Sequence, residues 1–75
     1  MKQVTMKITP QGWEIVIEID GVTTTNRTKL TKFGAQGIDE PFEENEDLED
    51  DLVSALDDVS SRAYDVARAL QRMDD

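Results

Sequence analysis

Two residue types that are common in active sites and metal centres are missing from this 75-residue chain, which has no cysteine and no histidine. Without cysteine there are no disulfides and no thiolate metal ligands. Without histidine the chain lacks the commonest general base and the imidazole ligand. No glycine-rich phosphate loop and no nucleophile with an activating partner compensate for these absences. We therefore expect a protein that is not an enzyme and that has no cofactor and no dedicated metal site.

Long hydrophobic runs are missing as well. A helix needs about 20 apolar residues to span a bilayer, and the apolar runs here are only a few residues long. The N-terminal sequence MKQVTMKITP has no apolar signal-peptide core. The lack of cysteine suits a reducing compartment. We expect a cytoplasmic protein that folds as a single domain over residues 1–75.

Charge is distributed very unevenly along the chain, whose net charge is -9. Residues 1–38 hold three acids and five bases, for a net charge of +2. Residues 39–75 hold fourteen acids and three bases, for a net charge of -11. The C-terminal half should therefore repel nucleic acid and anionic membranes, and it should attract basic surfaces.

Apolar and polar residues alternate in two N-terminal segments, which predicts two strands with one apolar face each. The segment PQG at 10–12 is a turn signal between them. Their apolar faces coincide in only one kind of register, because a slip of one residue reverses the faces. The predicted cross-strand pairs are Ile8 with Trp13, Met6 with Ile15, and Val4 with Ile17, and Trp13 is predicted to be a core residue.

A third strand is predicted after Asp20-Gly21, a strong signal for a two-residue hairpin turn. This turn places Ile19 opposite Val22 and Glu14 opposite Arg27, where an ion pair is expected. The segment VTTTNRTKL is rich in threonine and poor in apolar residues. We predict an edge strand that is protected from further pairing by its basic residues, Arg27 and Lys29.

A helix is predicted over residues 47–73, where apolar residues recur at spacings of four and three. Acids fill its first turns and arginines lie near its end, as the helix dipole favours. The apolar residues define a heptad-like helix seam: Leu52, Leu56, Val59, Ala63, Val66, Leu70 and Met73.

The predicted fold is α+β, with a three-stranded antiparallel meander (1–33), an acidic connection (34–46) and one long C-terminal helix. Phe33, Ile38 and Phe42 are expected to anchor the connection to the core. A helix over 47–73 is about 40 Å long, and strands of eight residues are about 27 Å long. The helix seam is therefore either covered by its own sheet or extended beyond it and paired with a second copy, as in a homodimeric assembly module.

The stretch DEPFEENEDLEDD, residues 39–51, has nine acids among thirteen residues and no base. With Asp57 and Asp58 there are eleven acids in the twenty residues 39–58. If residues 39–58 formed a helix, it would carry one negative charge per about 2.7 Å of its length. Duplex DNA carries one negative charge per about 1.7 Å of its axis. The simpler interpretation is that these acids form a solvated face that only keeps the protein soluble. The density favours a binding surface instead, because it exceeds what solubility needs and repulsion between like charges destabilises a helix.

The predicted partner-binding residues are therefore acids from both parts of the C-terminal half. These acids do not match the calcium-binding loop of an EF-hand, because Pro41 lies at a ligand position and Glu44 lies where the loop needs glycine. The expected partner is the basic surface of a nucleic-acid-binding protein, with no direct binding to nucleic acid or membrane. The predicted residues are Asp39, Glu40, Glu43, Glu44, Glu46, Asp47, Glu49, Asp50, Asp51, Asp57, Asp58 and Asp65.

The acidic stretch 39–51 and the pair Asp57-Asp58, in a short chain without cysteine or histidine, resemble the small phage-encoded inhibitors of bacterial defence. Anti-CRISPR proteins and DNA-mimicking anti-restriction proteins belong to this class. The resemblance covers about a third of the chain and rests on charge. It implies non-enzymatic binding to the DNA-contacting surface of a CRISPR effector in the cytoplasm of the host cell. Because the class has no shared fold, it implies nothing about the strands.

Overall fold

The structure, a computed structural model, describes residues 2–74 and places one helix against a four-stranded antiparallel sheet. The strands follow one another in the order β1-β2-β3-β4. The α+β class is confirmed, but the prediction of three strands is wrong. The elements are β1 (Lys2–Thr9), β2 (Gly12–Ile19), β3 (Val22–Thr31), β4 (Gly34–Gly37), a single 3-10 turn (Phe42–Glu44) and α1 (Asp50–Asp74).

The additional strand β4 changes which strand lies at the edge of the sheet. Its sequence, GAQG, has two glycines and no apolar alternation, so its composition is typical of a loop. It pairs with the second half of β3, with Leu30 opposite Ala35. The Thr31 hydroxyl stabilises the turn, since it donates to the Gly34 carbonyl at 2.9 Å and accepts from the Phe33 N–H. The prediction that β3 is an edge strand is therefore wrong, and β1 and β4 are the edges.

Both predicted hairpin registers are confirmed. Asp20 and Gly21 have φ angles of 51° and 87°, as a two-residue turn with two left-handed positions requires. Glu14 lies opposite Arg27 on the polar face of the sheet. The apolar pairs are Ile8 with Trp13, Met6 with Ile15, Val4 with Ile17, and Ile19 with Val22.

Helix α1 has 25 residues, so it is about 37 Å long in a molecule whose longest extent is 41 Å. A turn centred on Asn45 precedes it. The side-chain oxygen of Asn45 accepts from the Asp47 N–H at 3.0 Å, and the backbone carbonyl of Asn45 accepts from the Leu48 N–H at 3.2 Å. Across residues 2–74, no helix combines the length and hydrophobicity that crossing a membrane requires.

The core lies between one face of the sheet and one stripe of α1. Trp13 is buried, as predicted, and Phe42 anchors the connection. Phe33 and Ile38, the other two expected anchors, are 90% and 57% exposed. Phe33 points outward because it lies in the turn between β3 and β4, where Lys32 packs over its ring. The buried core residues are Trp13, Ile15, Ile17, Leu30, Phe42, Leu48, Leu56, Ala63 and Ala67.

Candidate acidic binding surface

The acidic segment passes from β4 to α1, and two buried side chains hold it against the core. Beyond β4, the Ile38 N–H donates to the Arg27 carbonyl at 2.9 Å, and the Asn26 amide donates to the Glu40 carbonyl at 2.8 Å. Phe42 and Leu48 are then buried in the core. The charged residues around these two anchors are left facing solvent.

Asp39 differs from the other predicted acids, because its carboxylate is bound within the chain. It accepts from the Arg27 guanidinium at 3.1 Å to each oxygen and from the Arg27 backbone N–H at 2.8 Å. These bonds, the guanidinium first, hold the pKa of Asp39 below its ordinary value. The pair fastens the chain to β3 just beyond the end of β4, so Asp39 has a structural role.

The other eleven predicted acids are all exposed. Within residues 2–74, no lysine or arginine forms an ion pair with any of them. We call this set the acidic surface: Glu40, Glu43, Glu44, Glu46, Asp47, Glu49, Asp50, Asp51, Asp57, Asp58 and Asp65.

The acidic surface is broader than a single helical ridge. Only the acids from Asp50 onward lie on α1, and those before it lie in turns and in the 3-10 turn. At 100° per residue, Asp50 and Asp57 lie on one flank of α1, and Asp58 and Asp65 lie nearer the other. The DNA-like spacing predicted for a continuous helix over 39–58 therefore does not hold, since only residues 50–58 are helical and their four acids give one charge per about 3.4 Å. The acids before them are crowded at one end of the molecule.

An apolar groove of about 430 Å³ adjoins this end. Its apolar lining comes from β1, β2 and the first turn of α1, and three acids, one lysine and one glutamine complete it. Such a groove suits a cationic side chain with an apolar stem, because the stem can contact the apolar lining while the charge meets a carboxylate. The lining residues are Lys2, Gln3, Val4, Ile17, Ile19, Asp47, Glu49, Asp51 and Leu52.

The groove was not predicted from the sequence. Val4, Ile17 and Ile19 belong to the apolar face that the first two strands were predicted to share. Ile17 is buried, but Val4 is 45% exposed. The placement of the segment around Leu48 and of the first turn of α1 leaves this part of the sheet open, and local periodicity contains no signal for that placement.

Carboxylates such as these are the ligands that Ca²⁺ and Mg²⁺ prefer. In the part of the chain that the structure describes, no three acidic side chains converge as metal ligands. The acids instead present separate charges to solvent, an arrangement that suits several cationic side chains on a partner better than one ion.

No family model matches this chain, and no curated protein or solved structure is significantly similar to it. Its function is therefore inferred from the charge, burial and geometry of its own residues.

Proposed function

We propose that the protein is a non-enzymatic inhibitor that binds a nucleic-acid-binding protein, of the CRISPR-effector kind, and blocks its binding of DNA or RNA. The acidic surface imitates the charge of a nucleic-acid backbone. The observation that carries the proposal is that these eleven acids are exposed and form no ion pairs within residues 2–74.

The inhibition is competitive. Carboxylates occupy the positions that phosphates take against arginine and lysine in the groove of the partner, since arginine pairs bidentately with both groups. Attraction between the acidic surface and a basic groove speeds association and weakens as salt is added. The apolar groove beside Asp47, Glu49 and Asp51 receives the stem of one such basic side chain.

The contrast with Asp39 supports the proposal. Asp39, which fastens two segments, is paired with Arg27 through three hydrogen bonds. Asp57 and Asp58, in the first half of α1, form no ion pair within residues 2–74. Because no contact within these residues uses their charge, we infer that these acids serve binding and not folding.

A second candidate function, a homodimeric assembly module, is supported by the unequal burial of the helix seam. Leu56 and Ala63 are buried against the sheet, and Leu52 and Leu70 are half-buried. The remaining seam residues, Val59, Val66 and Met73, are 38%, 45% and 80% exposed. In this function the acids only keep the dimer soluble.

The direct test is affinity capture from a nuclease-treated bacterial lysate, with elution by salt from one portion and by duplex DNA from another. The test variant carries Glu43→Gln, Glu46→Gln, Asp57→Asn and Asp58→Asn. A control with the same net charge carries Gln11→Lys, Glu18→Gln, Thr23→Lys and Gln36→Lys, all at exposed positions outside the acidic surface.

The proposal predicts that a nucleic-acid-binding protein is retained by the wild type and the control, is eluted by DNA and is lost with the test variant. Retention by the test variant as strong as that by the wild type would contradict it. If only self-association is observed, and it is equal in all three proteins, the assembly module is favoured.

A further inference from the structure

Strand β1 leaves one entire edge of the sheet unpaired. Within residues 2–74 no strand lies beyond it. The two-residue turn between β1 and β2 makes Thr9 and Gly12 a hydrogen-bonded pair. Because such pairs alternate, the backbone groups of Val4, Met6 and Ile8 point away from β2. The strand contains neither proline nor a bulge, so of the common devices against edge pairing it carries only charge, at Lys2 and Lys7.

Helix α1 is unevenly covered on its two flanks. On one flank the Tyr64 ring meets Trp13 at a centroid distance of 6.4 Å, and the Arg68 guanidinium donates to the Thr31 carbonyl of β3 at 3.1 Å. This flank therefore faces β3. At 100° per residue, Val59 and Val66 lie on the opposite flank, which faces the β1 edge.

The direction of α1 follows that of β1. At its beginning, Leu52 shares the apolar groove with Val4. Near its end, the Gln71 amide donates to the Pro10 carbonyl, just beyond β1, at 2.7 Å. The β1 edge and the uncovered flank of α1 thus run side by side. We call them together the edge face: the outer edge of β1 with Val4, Val59, Val66 and Met73.

We propose that two copies of this chain associate through the edge face. Their β1 strands pair antiparallel, so the two sheets join into one sheet of eight strands. An interface with two-fold symmetry must complement itself, and antiparallel pairing of a strand with its own copy does so. A register that aligns the pleats of the two strands keeps both apolar faces, and both helices, on the same side. Val59, Val66 and Met73 then pack between two antiparallel helices.

The shape of the edge face favours a second copy as the occupant, because a copy supplies both an unpaired strand edge and an apolar helix flank. Arg62 lies at the centre of α1, with Asp58 and Asp65 about one turn to either side. Antiparallel helices that pair Val59 with Val66 place Arg62 of each copy beside its symmetry mate, with Asp58 and Asp65 of both copies about one turn away. The acids at the beginning of α1 lie at opposite ends of such a pair. This inference does not rest on the inhibitor function, and it deepens the second candidate function, because it uses the same exposed residues of the helix seam.

Sedimentation equilibrium of the full chain from about 1 to 500 μM tests the association. A dimer is expected for the wild type. The variant Val59→Glu/Val66→Glu is expected to raise the dimer Kd by about 100-fold or more, since every 1.4 kcal/mol is tenfold and buried like charges cost several. The control Ser54→Glu/Ser61→Glu adds the same charge at exposed positions away from the edge face and should remain dimeric. A monomeric wild type, or an unaffected Val59→Glu/Val66→Glu variant, overturns the proposal.

Amide hydrogen exchange tests the role of β1. The amides of Val4, Met6 and Ile8 should become protected as concentration rises, whereas those of Thr5 and Lys7 should be protected throughout. A dimer in which the first three amides still exchange rapidly overturns strand pairing. Because each copy carries a net charge of -9, dimerisation should strengthen with salt. Binding to a basic partner should instead weaken as salt is added. These opposite responses to salt distinguish failure of one proposal from failure of the other.

Discussion

Charged residues on the polar face of the sheet lie next to opposite charges, whereas those of the acidic surface form no ion pairs within residues 2–74. On the sheet, Lys7 lies opposite Glu14, Glu14 lies opposite Arg27, and Arg27 binds Asp39. The signs alternate across this row, so each charge has an opposite neighbour. On the acidic surface, no acid forms an ion pair with the lysines and arginines of residues 2–74. On the sheet, the charge pairs contribute to the structure. On the acidic surface, the charges are exposed to solvent and can bind a partner.

This comparison suggests that stability and function are largely separated in the molecule. The core residues of the sheet and α1 stabilise the fold, whereas the acidic surface adds repulsion without stabilising contacts. Substitutions in the two regions should therefore have opposite consequences: those in the core should reduce stability, and those in the acidic surface should reduce binding.

The largest expected effect is that of Ile15→Ala. Ile15 is fully buried between the sheet and α1, and truncating such a side chain costs about 2–5 kcal/mol, which is much of the stability of a small domain. The matched change Glu46→Ala, in the acidic surface, should shift the free energy of unfolding by about 0.5 kcal/mol or less. Urea unfolding followed by Trp13 fluorescence measures both. Similar losses in the free energy of unfolding of the two variants would contradict the separation of stability from binding.

Gly12→Ala should have the next largest effect. Gly12 has a φ of 147°, and a Cβ there would clash with the Thr28 carbonyl oxygen. Strain of this kind costs about 1–3 kcal/mol or more. Gly21, with a φ of 87° and open space around it, provides the control Gly21→Asn, because asparagine tolerates the left-handed region. Thermal unfolding should show a clear loss of Tm for the first variant only, and equal losses would argue against close packing at Gly12.

Asp39→Asn should have a smaller effect that depends on pH. The pKa of Asp39 is lowered in the folded protein by its bonds to Arg27, so its contribution is present above the unfolded-state pKa and is lost as pH falls through the folded-state pKa. The variant should therefore be less stable than the wild type at pH 7, and the difference should shrink in acid. Glu43→Gln, at an exposed acid without an ion pair, is the control. A constant difference across the pH range would contradict the role assigned to Asp39.

The smallest expected effect is that of salt on stability. Screening the acidic surface should raise the free energy of unfolding by an amount on the order of 1 kcal/mol between low salt and about 0.5 M NaCl. The variant in which Glu43, Glu46, Asp57 and Asp58 become amides should respond less. Urea unfolding at several salt concentrations gives both slopes, and equal slopes would show that repulsion within the acidic surface is negligible.

The strand registers were predictable from the sequence because alternation and turn chemistry are local. A slip of one residue would put Val4, Met6 and Ile8 on the face opposite to Trp13 and Ile15, and the two-residue turn selects the observed pairing among the registers that remain. The fourth strand was not predictable in this way, because Gly34–Gly37 is a strand only through its pairing with β3. Local patterns do not contain that tertiary information.

The candidate site was predictable in composition but not in shape. The acids of this surface are exposed, as the count of charges along the sequence suggests, but Arg27 was predicted to pair with Glu14, its cross-strand neighbour. In the structure it binds Asp39, which the hydrogen bonds of residues 38–40 bring to the side of β3. The apolar groove was missed for a similar reason, because it depends on how three separate segments pack.

Competition with DNA tests the central claim most directly. A protein captured by the acidic surface is loaded with fluorescent duplex DNA, and the wild type, the four-amide variant and the control of equal net charge are titrated against it by anisotropy. We predict competitive displacement by the wild type and the control, and displacement weakened by about 100-fold in the four-amide variant, since every 1.4 kcal/mol is tenfold. Equal displacement by all three proteins, or a complex that holds this protein and DNA together, would contradict nucleic-acid mimicry.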